Sequence, residues 1–294
     1  INNCFCMIKC KMPKVSIITV VYNGEKELEN TILSVIRQTY DNLEYIIVDG
    51  GSTDNTINII KKYANKISYW ISEPDKGIYD AMNKGIDVAN GEWLLFRNCG
   101  DYFSSLSDIA RVFENTNYND YDVIYGDAIV WDKYGFKKEK PEIQKFNRYG
   151  VMPVWHPSTF VRTSLHKKIK FDLKYKLAAD HNFIINCKWS GIKFKYIPII
   201  LSIFNIGDGA SVKGQIKSRK EHFYIYGGDA NRWNLFIFNI QLLKVNMVLY
   251  LRRYIPDAVM RMRRKMQGRV IWKENYTIND MISNALSRTE IKYK

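Results

Sequence analysis

Short unbroken apolar runs alternate with segments whose apolar positions recur every three or four residues. Val15-Ser16-Ile17-Ile18-Thr19-Val20-Val21 is a β-branched run of the kind a buried parallel strand shows, and it ends at Tyr22-Asn23-Gly24. Leu28, Ile32, Val35 and Ile36 then fall at helical spacing, which predicts a helix laying one face on a sheet. Leu43 to Val48 is a second run and stops at Asp49-Gly50-Gly51-Ser52. Thr53 or Asp54 can cap the next helix, whose Ile57, Ile60 and Tyr63 share a face. Ile67 to Ile71 is a third strand, broken by Pro74. The following helix puts Ile78, Met82 and Ile86 on one side, with Gly91 near its end, and Glu92 to Phe96 is a fourth strand. Parallel neighbours need a crossover, so this alternation predicts an α/β fold with a doubly wound, mostly parallel sheet.

Ligands of such sheets bind outside the carboxyl ends of the strands. Tyr22 and Asn23, Asp49, Glu73 and Asp75, and Asn98 to Asp101 each follow a predicted strand. Any one of these loops taken alone reads as a solvated surface; four in succession read as one site. The first strand is not followed by G-x-G-x-x-G, and G-x-x-x-x-G-K-[ST] does not occur, so hydride transfer and P-loop chemistry are disfavoured. A rim of carboxylates would repel a diphosphate unless a divalent cation stood between them. Asp101 offers the hard oxygen that Mg²⁺ or Mn²⁺ prefers.

With 294 residues, 46% hydrophobic and 14% aromatic, the chain can bury a large core, and one large domain with an appendage is expected. Of the five cysteines, Cys4, Cys6 and Cys10 crowd the start, and Cys99 and Cys187 stand apart, with no histidine near the cluster. That spacing fits neither a zinc site nor a disulfide framework, so a reducing, cytoplasmic compartment is expected. No long apolar stretch follows a basic start, so no secretory signal is read. Residues 1–11 read as an N-terminal extension, disordered or foreign to the native chain; residues 12–210 form the main domain, and residues 211–294 a basic, mainly helical C-terminal region. From Ser211 onward 17 Lys/Arg face 6 Asp/Glu, a net of +11 out of +14. Arg232 to Leu251 is largely apolar, but Asn239, Gln241, Lys244 and Asn246 interrupt it, which argues against a membrane-spanning helix. Arginines follow, beside Met260, Met262 and Met266. This region reads either as a peripheral contact with an anionic membrane face or as a helical cap packed on the domain.

"VSIITVVYN", "YIIVDGGSTDNT", "SEPDKGIYDAMNKGI" and "GEWLLFRNCGD" resemble, in order and spacing, the nucleotide-sugar-binding half of family-2 glycosyltransferases with the GT-A fold, nearest to bacterial enzymes that assemble surface polysaccharide. The resemblance continues through "HPSTF" and "KLAADHNFIINCKWSGIKFKYI" to about Ser211. It implies Tyr22 against a nucleobase with Asp49 on its polar edge. It also implies Asn23, Asp75, Asn83, Lys84 and Asn98 in the nucleotide-sugar site and Asp101 on the metal. Asn98-Cys99-Gly100 departs from the two-carboxylate version of the metal motif, and Arg97 either contacts phosphate or points to solvent. Asp180 aligns with the family's base, with Ala179 where Glu is common; the alternative for Asp180 is a helix N-cap. His156 and Asp127 are acceptor-site candidates, His156 reading equally as a structural group; His166, His181 and His222 read as structural or surface residues. The implied activity is inverting, metal-dependent transfer from a nucleotide sugar, expected to be a UDP-sugar, to a saccharide or lipid-linked saccharide. Two alternatives are a sugar-phosphate nucleotidyltransferase and a basic nucleic-acid-binding module. The first needs a glycine-rich basic loop that Val21-Tyr22-Asn23-Gly24 does not supply; the second shows no recognition motif, so no nucleic acid is expected as a partner.

Overall fold

The structure, a computed structural model, describes residues 12–114, 116–141, 154–207, 214–228, 231–271 and 278–287. The extension expected at residues 1–11 lies outside them. Four parallel strands begin the chain: β1 (Val15–Val21), β2 (Leu43–Asp49), β3 (Tyr69–Ser72) and β4 (Trp93–Phe96). The helices α1 (Leu28–Ile36), α2 (Thr56–Lys62) and α3 (Ile78–Val88) are the crossovers between them. After α4 (Asp108–Phe113) come β5 (Val123–Asp132), β6 (Gly135–Glu139), β7 (Thr159–Arg162), α5 (Thr163–Lys168), α6 (Ala179–Trp189) and β8 (Phe194–Asn205). The C-terminal region supplies α7 (Gln215–Ile225), α8 (Arg232–Leu251), α9 (Asp257–Met266), β9 (Val270–Ile271) and α10 (Ile278–Ser287). One sheet runs in the order β3-β2-β1-β4-β7-β5-β6-β9, with β8 paired to β5. Only β6 and β7 run against the other strands, so the sheet is mixed but mostly parallel.

The unbroken apolar character of β1 follows from cover on both faces. Val15, Ile17 and Val21 join a core with Leu28, Ile32, Ile60 and Phe113, the side of α1, α2 and α4. Ile18 and Val20 face Met82, Ile86, Leu165 and Phe183, the side of α3, α5 and α6. On α3 the buried stripe is Tyr79, Met82 and Ile86, while Ile78 is 39% exposed. The expected face was therefore one residue out of register at its first position. Gly85 lets α3 approach β1, since a Cβ there would lie 2.6 Å from Ile18 Cγ2. Helix α2 starts later than the sequence suggests. Asn55, not Thr53 or Asp54, holds the cap position, and Asp54 accepts the Thr56 N–H at 3.0 Å from one residue before it.

The C-terminal region is fastened to the domain at several points. Strand β9 pairs with β6, Arg264 reaches Asp132 at 2.9 Å, and Tyr134 donates to Asp257 at 2.9 Å. Met281, Ile282 and Ala285 of α10 pack with Tyr102, Ile129 and Ile203. Helix α8 is unbroken through its polar positions, and by length and composition it is long and apolar enough to cross a membrane. Only Phe238 and Leu242 of it are buried.

Candidate active site

The loops after β3, β2, β1 and β4 lie side by side at the carboxyl ends of these strands. Asn23 leaves β1 in a left-handed conformation, φ 50°, which asparagine tolerates better than most residues. Its amide oxygen accepts the Thr53 N–H at 2.9 Å and its own N–H donates to Ser52 Oγ at 2.7 Å. Asn23 thus joins the first loop to the second, and Tyr22 projects from the turn, 64% exposed. Asp49 is fully buried. Its carboxylate accepts the N–H groups of Gly51 (3.0 Å) and Ser52 (2.9 Å) and the hydroxyls of Ser52 and Ser72, so its oxygens hold the loop. Asp75 is more open: Oδ1 accepts the Gly77 N–H at 2.7 Å, while Oδ2 lies over Gly50. A Cβ on Gly50 would sit 2.4 Å from that oxygen and 3.5 Å from the Tyr22 ring, so glycine is what lets Tyr22, Gly50 and Asp75 converge. Asn83 exchanges two hydrogen bonds with the backbone of Phe171, 2.9 and 3.0 Å, clamping α3 to the segment after α5. Lys84 pairs with Glu73 at 2.7 Å and donates to the Pro74 carbonyl at 3.1 Å, bracing the third loop.

The fourth loop rests on Arg97. Its guanidinium is neither at a phosphate position nor in solvent. It is fully buried, donates to the carbonyls of Tyr102 and Leu201 at 3.1 Å each, and lies 3.9 Å from the Phe103 ring centroid. Burial lowers its pKa to about 10, so it keeps its charge at neutral pH beneath the loop. Above it, Thr31 Oγ1 accepts the Gly100 N–H at 3.0 Å and the Asn98 carbonyl accepts the Asp101 N–H at 2.9 Å.

A hydrogen-bonded chain connects this loop to α6. Asn98 Nδ2 lies 3.0 Å from His156 Nε2. With the amide N–H directed at it, Nε2 accepts, and the ring's Nδ1–H faces Asp180. That nitrogen lies 3.4 Å from Asp180 Oδ2. The other carboxylate oxygen accepts the Tyr79 hydroxyl at 2.7 Å and the His181 N–H at 2.9 Å. Asp180 lies within the first turn of α6, and Ala178 holds the cap position, so the N-cap reading is corrected. Burial pushes the Asp180 pKa up, but His156, Tyr79 and His181 outweigh it and hold the carboxyl at about 2. Tyr79 had no sequence signal beyond helical periodicity, which Ile78 satisfied equally well.

His181 joins this chain through its backbone N–H, while the carboxylate of Asp127 and the ring of His166 have other partners. Asp127 is buried and its carboxylate meets Lys138 and the Tyr196 hydroxyl, both at 2.8 Å. Its backbone carbonyl accepts from Ser158 at 3.2 Å, two residues after His156. His166 stacks on Phe183, and His181 meets the Tyr226 hydroxyl at 3.1 Å; both are structural.

A divalent cation fits Asn98 and Asp101 in one respect that is visible. With its N–H spent on His156, the amide oxygen of Asn98 is buried without a hydrogen-bond partner. Asp101 directly follows the intervening pair, its pKa raised to about 6 by burial, which the charge of Arg97 beneath the loop only partly offsets. Two hard oxygens, one of them orphaned, suit Mg²⁺ or Mn²⁺. Among the described residues no group of three or more His, Cys, Asp or Glu forms a complete cage, so donor phosphate and water would have to fill the remaining positions.

Residues 16–181 match the description of glycosyl transferase family 2, more than half of the chain. The chain belongs to that family. An uncharacterised glycosyltransferase of Mycobacterium tuberculosis is 34% identical over 187 residues, covering 59% of this chain and 68% of the relative. A PGL/p-HBAD biosynthesis glycosyltransferase of Mycobacterium bovis is 30% identical over 217 residues, covering 68% and 79%. Among solved structures, S. aureus TarS in complex with UDP-GlcNAc superposes with a TM-score of 0.55 at 23% identity over 68% of this chain, which spans only 60% of the TarS chain. The mannosyltransferase PcManGT from Pyrobaculum calidifontis, solved with GDP-Man and Mn²⁺, gives 0.57 at 13% identity over 94% and 86%. At these identities the two structures establish the GT-A fold of this family-2 glycosyltransferase.

Proposed function

We propose that the protein is an inverting glycosyltransferase that moves a sugar from a nucleotide sugar, a UDP-sugar in the first instance, to a hydroxyl of a saccharide or lipid-linked saccharide during surface-polysaccharide or glycolipid assembly. The observation that carries this reading is the chain from Asn98 through His156 to Asp180. It holds the candidate base at a fixed distance from the loop expected to face the leaving group. Tyr22 stacks on the nucleobase, and Asp75, with an oxygen free over Gly50, reads its polar edge; Asp49 supports this wall from beneath. The acceptor oxygen forms its bond to the anomeric carbon as the bond from that carbon to the diphosphate oxygen breaks. Asp180 takes the acceptor's proton, and the nucleoside diphosphate leaves with the electron pair. At about 2, the Asp180 carboxylate is ionised throughout the working range and is a weak base, so it accepts the proton only as the attacking oxygen loses electron density to the new bond. His156 and Tyr79 orient it. A cation held by Asn98 and Asp101 would stabilise the charge of the departing diphosphate.

A panel of nucleotide sugars, with and without Mn²⁺, tests the reading through protection against thermal unfolding and through donor hydrolysis. The true donor raises the melting temperature in proportion to the logarithm of its concentration. If no nucleotide sugar or nucleoside diphosphate protects the fold at millimolar concentration, the donor assignment fails.

A further inference from the structure

The polar residues of α8 do not interrupt one apolar face; they separate two. At about 100° per residue, Phe238, Leu242, Val245 and Leu249 share one side. Phe238 and Leu242 are buried there, and Phe238 stacks on Phe223 of α7 with ring centroids 4.1 Å apart. On the opposite side Trp233, Phe236, Ile240, Leu243 and Met247 recur at i, i+3, i+7, i+10 and i+14. All five are exposed, Trp233 by 69% and Leu243 by 68%. Asn234 and Gln241 mark one seam between the faces, Asn239 and Asn246 the other.

Both ends of α8 are tied to the same domain. Before it, Glu221 of α7 accepts the N–H groups of Lys176 and Leu177 at 3.0 and 2.8 Å. After it, α9 is held through Asp257 to Tyr134 and Arg264 to Asp132, and β9 pairs with β6. A helix of this length could cross a bilayer, about 30 Å, but crossing would carry α9 and β9 away from these partners. It therefore lies along the domain with its outer stripe uncovered. Basic side chains stand on the stripe and on the helix that follows it. Lys244 emerges within it on a stem long enough to reach past apolar neighbours, and Arg261, Arg263 and Lys265 are exposed on α9 beside Met262 and Met266. A second copy of the chain would bring like charges together on this face; an anionic bilayer complements both its apolar centre and its basic surroundings.

We propose that α8 lies in the plane of an anionic membrane surface, its Trp233, Phe236, Ile240, Leu243 and Met247 seated at the boundary between headgroups and acyl chains. The test is co-sedimentation of the full chain with phosphatidylglycerol-containing vesicles and with pure phosphatidylcholine vesicles. Binding is expected only to the anionic vesicles, to fall as salt rises, and to be reversed by a carbonate wash. Phe236→Glu/Leu243→Glu is expected to weaken it at least about 30-fold with the melting temperature unchanged. Arg261→Gln/Arg263→Gln is expected to cost about fivefold per charge. A blue shift of tryptophan fluorescence on vesicles, lost in Trp233→Phe, reads the same contact without touching the fold. Equal binding by the Glu variant, equal binding to neutral vesicles or resistance to carbonate overturns the proposal. So does a concentration-dependent dimer that the Glu variant dissociates. Nucleotide-sugar protection, measured on the same samples, reports the transferase reading separately.

Discussion

Replacing Asp180 by Asn tests the base and the hydrogen-bonded chain together, because the chain has a polarity. Asp180 Oδ1 accepts from Tyr79 at 2.7 Å and from the His181 N–H at 2.9 Å, while Oδ2 faces His156 Nδ1 at 3.4 Å. In Asp180→Asn the two donors keep the new side chain's oxygen, and its NH₂ therefore meets His156. Two N–H groups cannot share that contact, so the imidazole proton moves to Nε2. There it opposes the Asn98 NH₂ at 3.0 Å, which turns the Asn98 amide over and places its oxygen on the ring. The orphaned oxygen offered to a cation beside Asp101 is then consumed. Three magnitudes follow. Loss of the base lowers transfer about 10²- to 10⁴-fold. Loss of one cation ligand weakens Mn²⁺ binding about 10- to 100-fold. The fold loses about 2 kcal/mol at neutral pH, since the drop of the Asp180 pKa from an ordinary 3.8 to about 2 is the stability its ionised form contributes.

Single-turnover transfer from labelled donor, an electron-paramagnetic-resonance titration of free Mn²⁺ in the presence of UDP, and urea unfolding measure these separately. Adding Asn98→Asp to Asp180→Asn supplies an oxygen to the cation whichever way the side chain turns. It should restore Mn²⁺ affinity and leave transfer low. Parent-rate transfer by a variant that binds donor normally would sink the base assignment and pass the role to His156, because Asp127 is committed to Lys138 and Tyr196. Low transfer with unchanged Mn²⁺ affinity would keep the base and reject Asn98 as a ligand.

Tyr79→Phe removes the hydroxyl donated to Asp180 and should destabilise the protein by about 1.5–3 kcal/mol at pH 7 in urea unfolding. A depressed carboxylate pKa contributes stability that is present above its ordinary value and lost as pH falls through the folded value, so the difference from the parent should shrink between pH 4 and about 2; a constant difference would mean that the hydroxyl does not act on the charged form. Gly50→Ala puts a Cβ 2.4 Å from Asp75 Oδ2 and should weaken UDP binding at least about tenfold by calorimetry while the helical circular dichroism persists; unchanged affinity would remove Asp75 from the donor site. Asp101→Asn should lower turnover at least about a hundredfold, and full activity at low Mn²⁺ would reject its metal role.

The strand-end rim was legible because it needs only the alternation of apolar runs with helical periods. β1 to β4 fell within a residue or two of their predicted bounds, and the order β3-β2-β1-β4 brings their loops together. What was not legible depended on partners distant in sequence. Whether Asp49 points to a ligand or is filled by loop donors turns on Ser72, 23 residues away. The burial of Arg97 turns on the Leu201 carbonyl, 104 residues away. Tyr79 was hidden because a helix period of 3.6 lets either Ile78 or Tyr79 lead the stripe with Met82 and Ile86, and only the position of α6 decides between them. In α8 the same limit worked in reverse. Asn239 and Asn246 read as breaks along the chain, whereas around the helix they are a boundary between two faces.

The two departures from the family pattern have a common physical setting. Ala179 is fully buried in the core formed with Phe183 and Ile184, so a Glu there would need either a partner or a different packing of α6 on the sheet. Asn98 is likewise buried, above a guanidinium that donates to two carbonyls, and it must donate to His156 for that ring to present a proton to Asp180. An Asp at 98 could accept from His156 but could not donate to it. The ring would then have to reverse its tautomer or become charged, and the hydrogen bond to Asp180 would be lost or turned into an ion pair. Asparagine is thus the side chain that can serve both neighbours at once, its N–H bonded to His156 and, on the proposed mechanism, its oxygen left for a cation. Fewer carboxylates at this site need not mean a vestigial one, because on the proposed reading the chain from Asn98 through His156 to Asp180 does the positioning that a second acid would otherwise share.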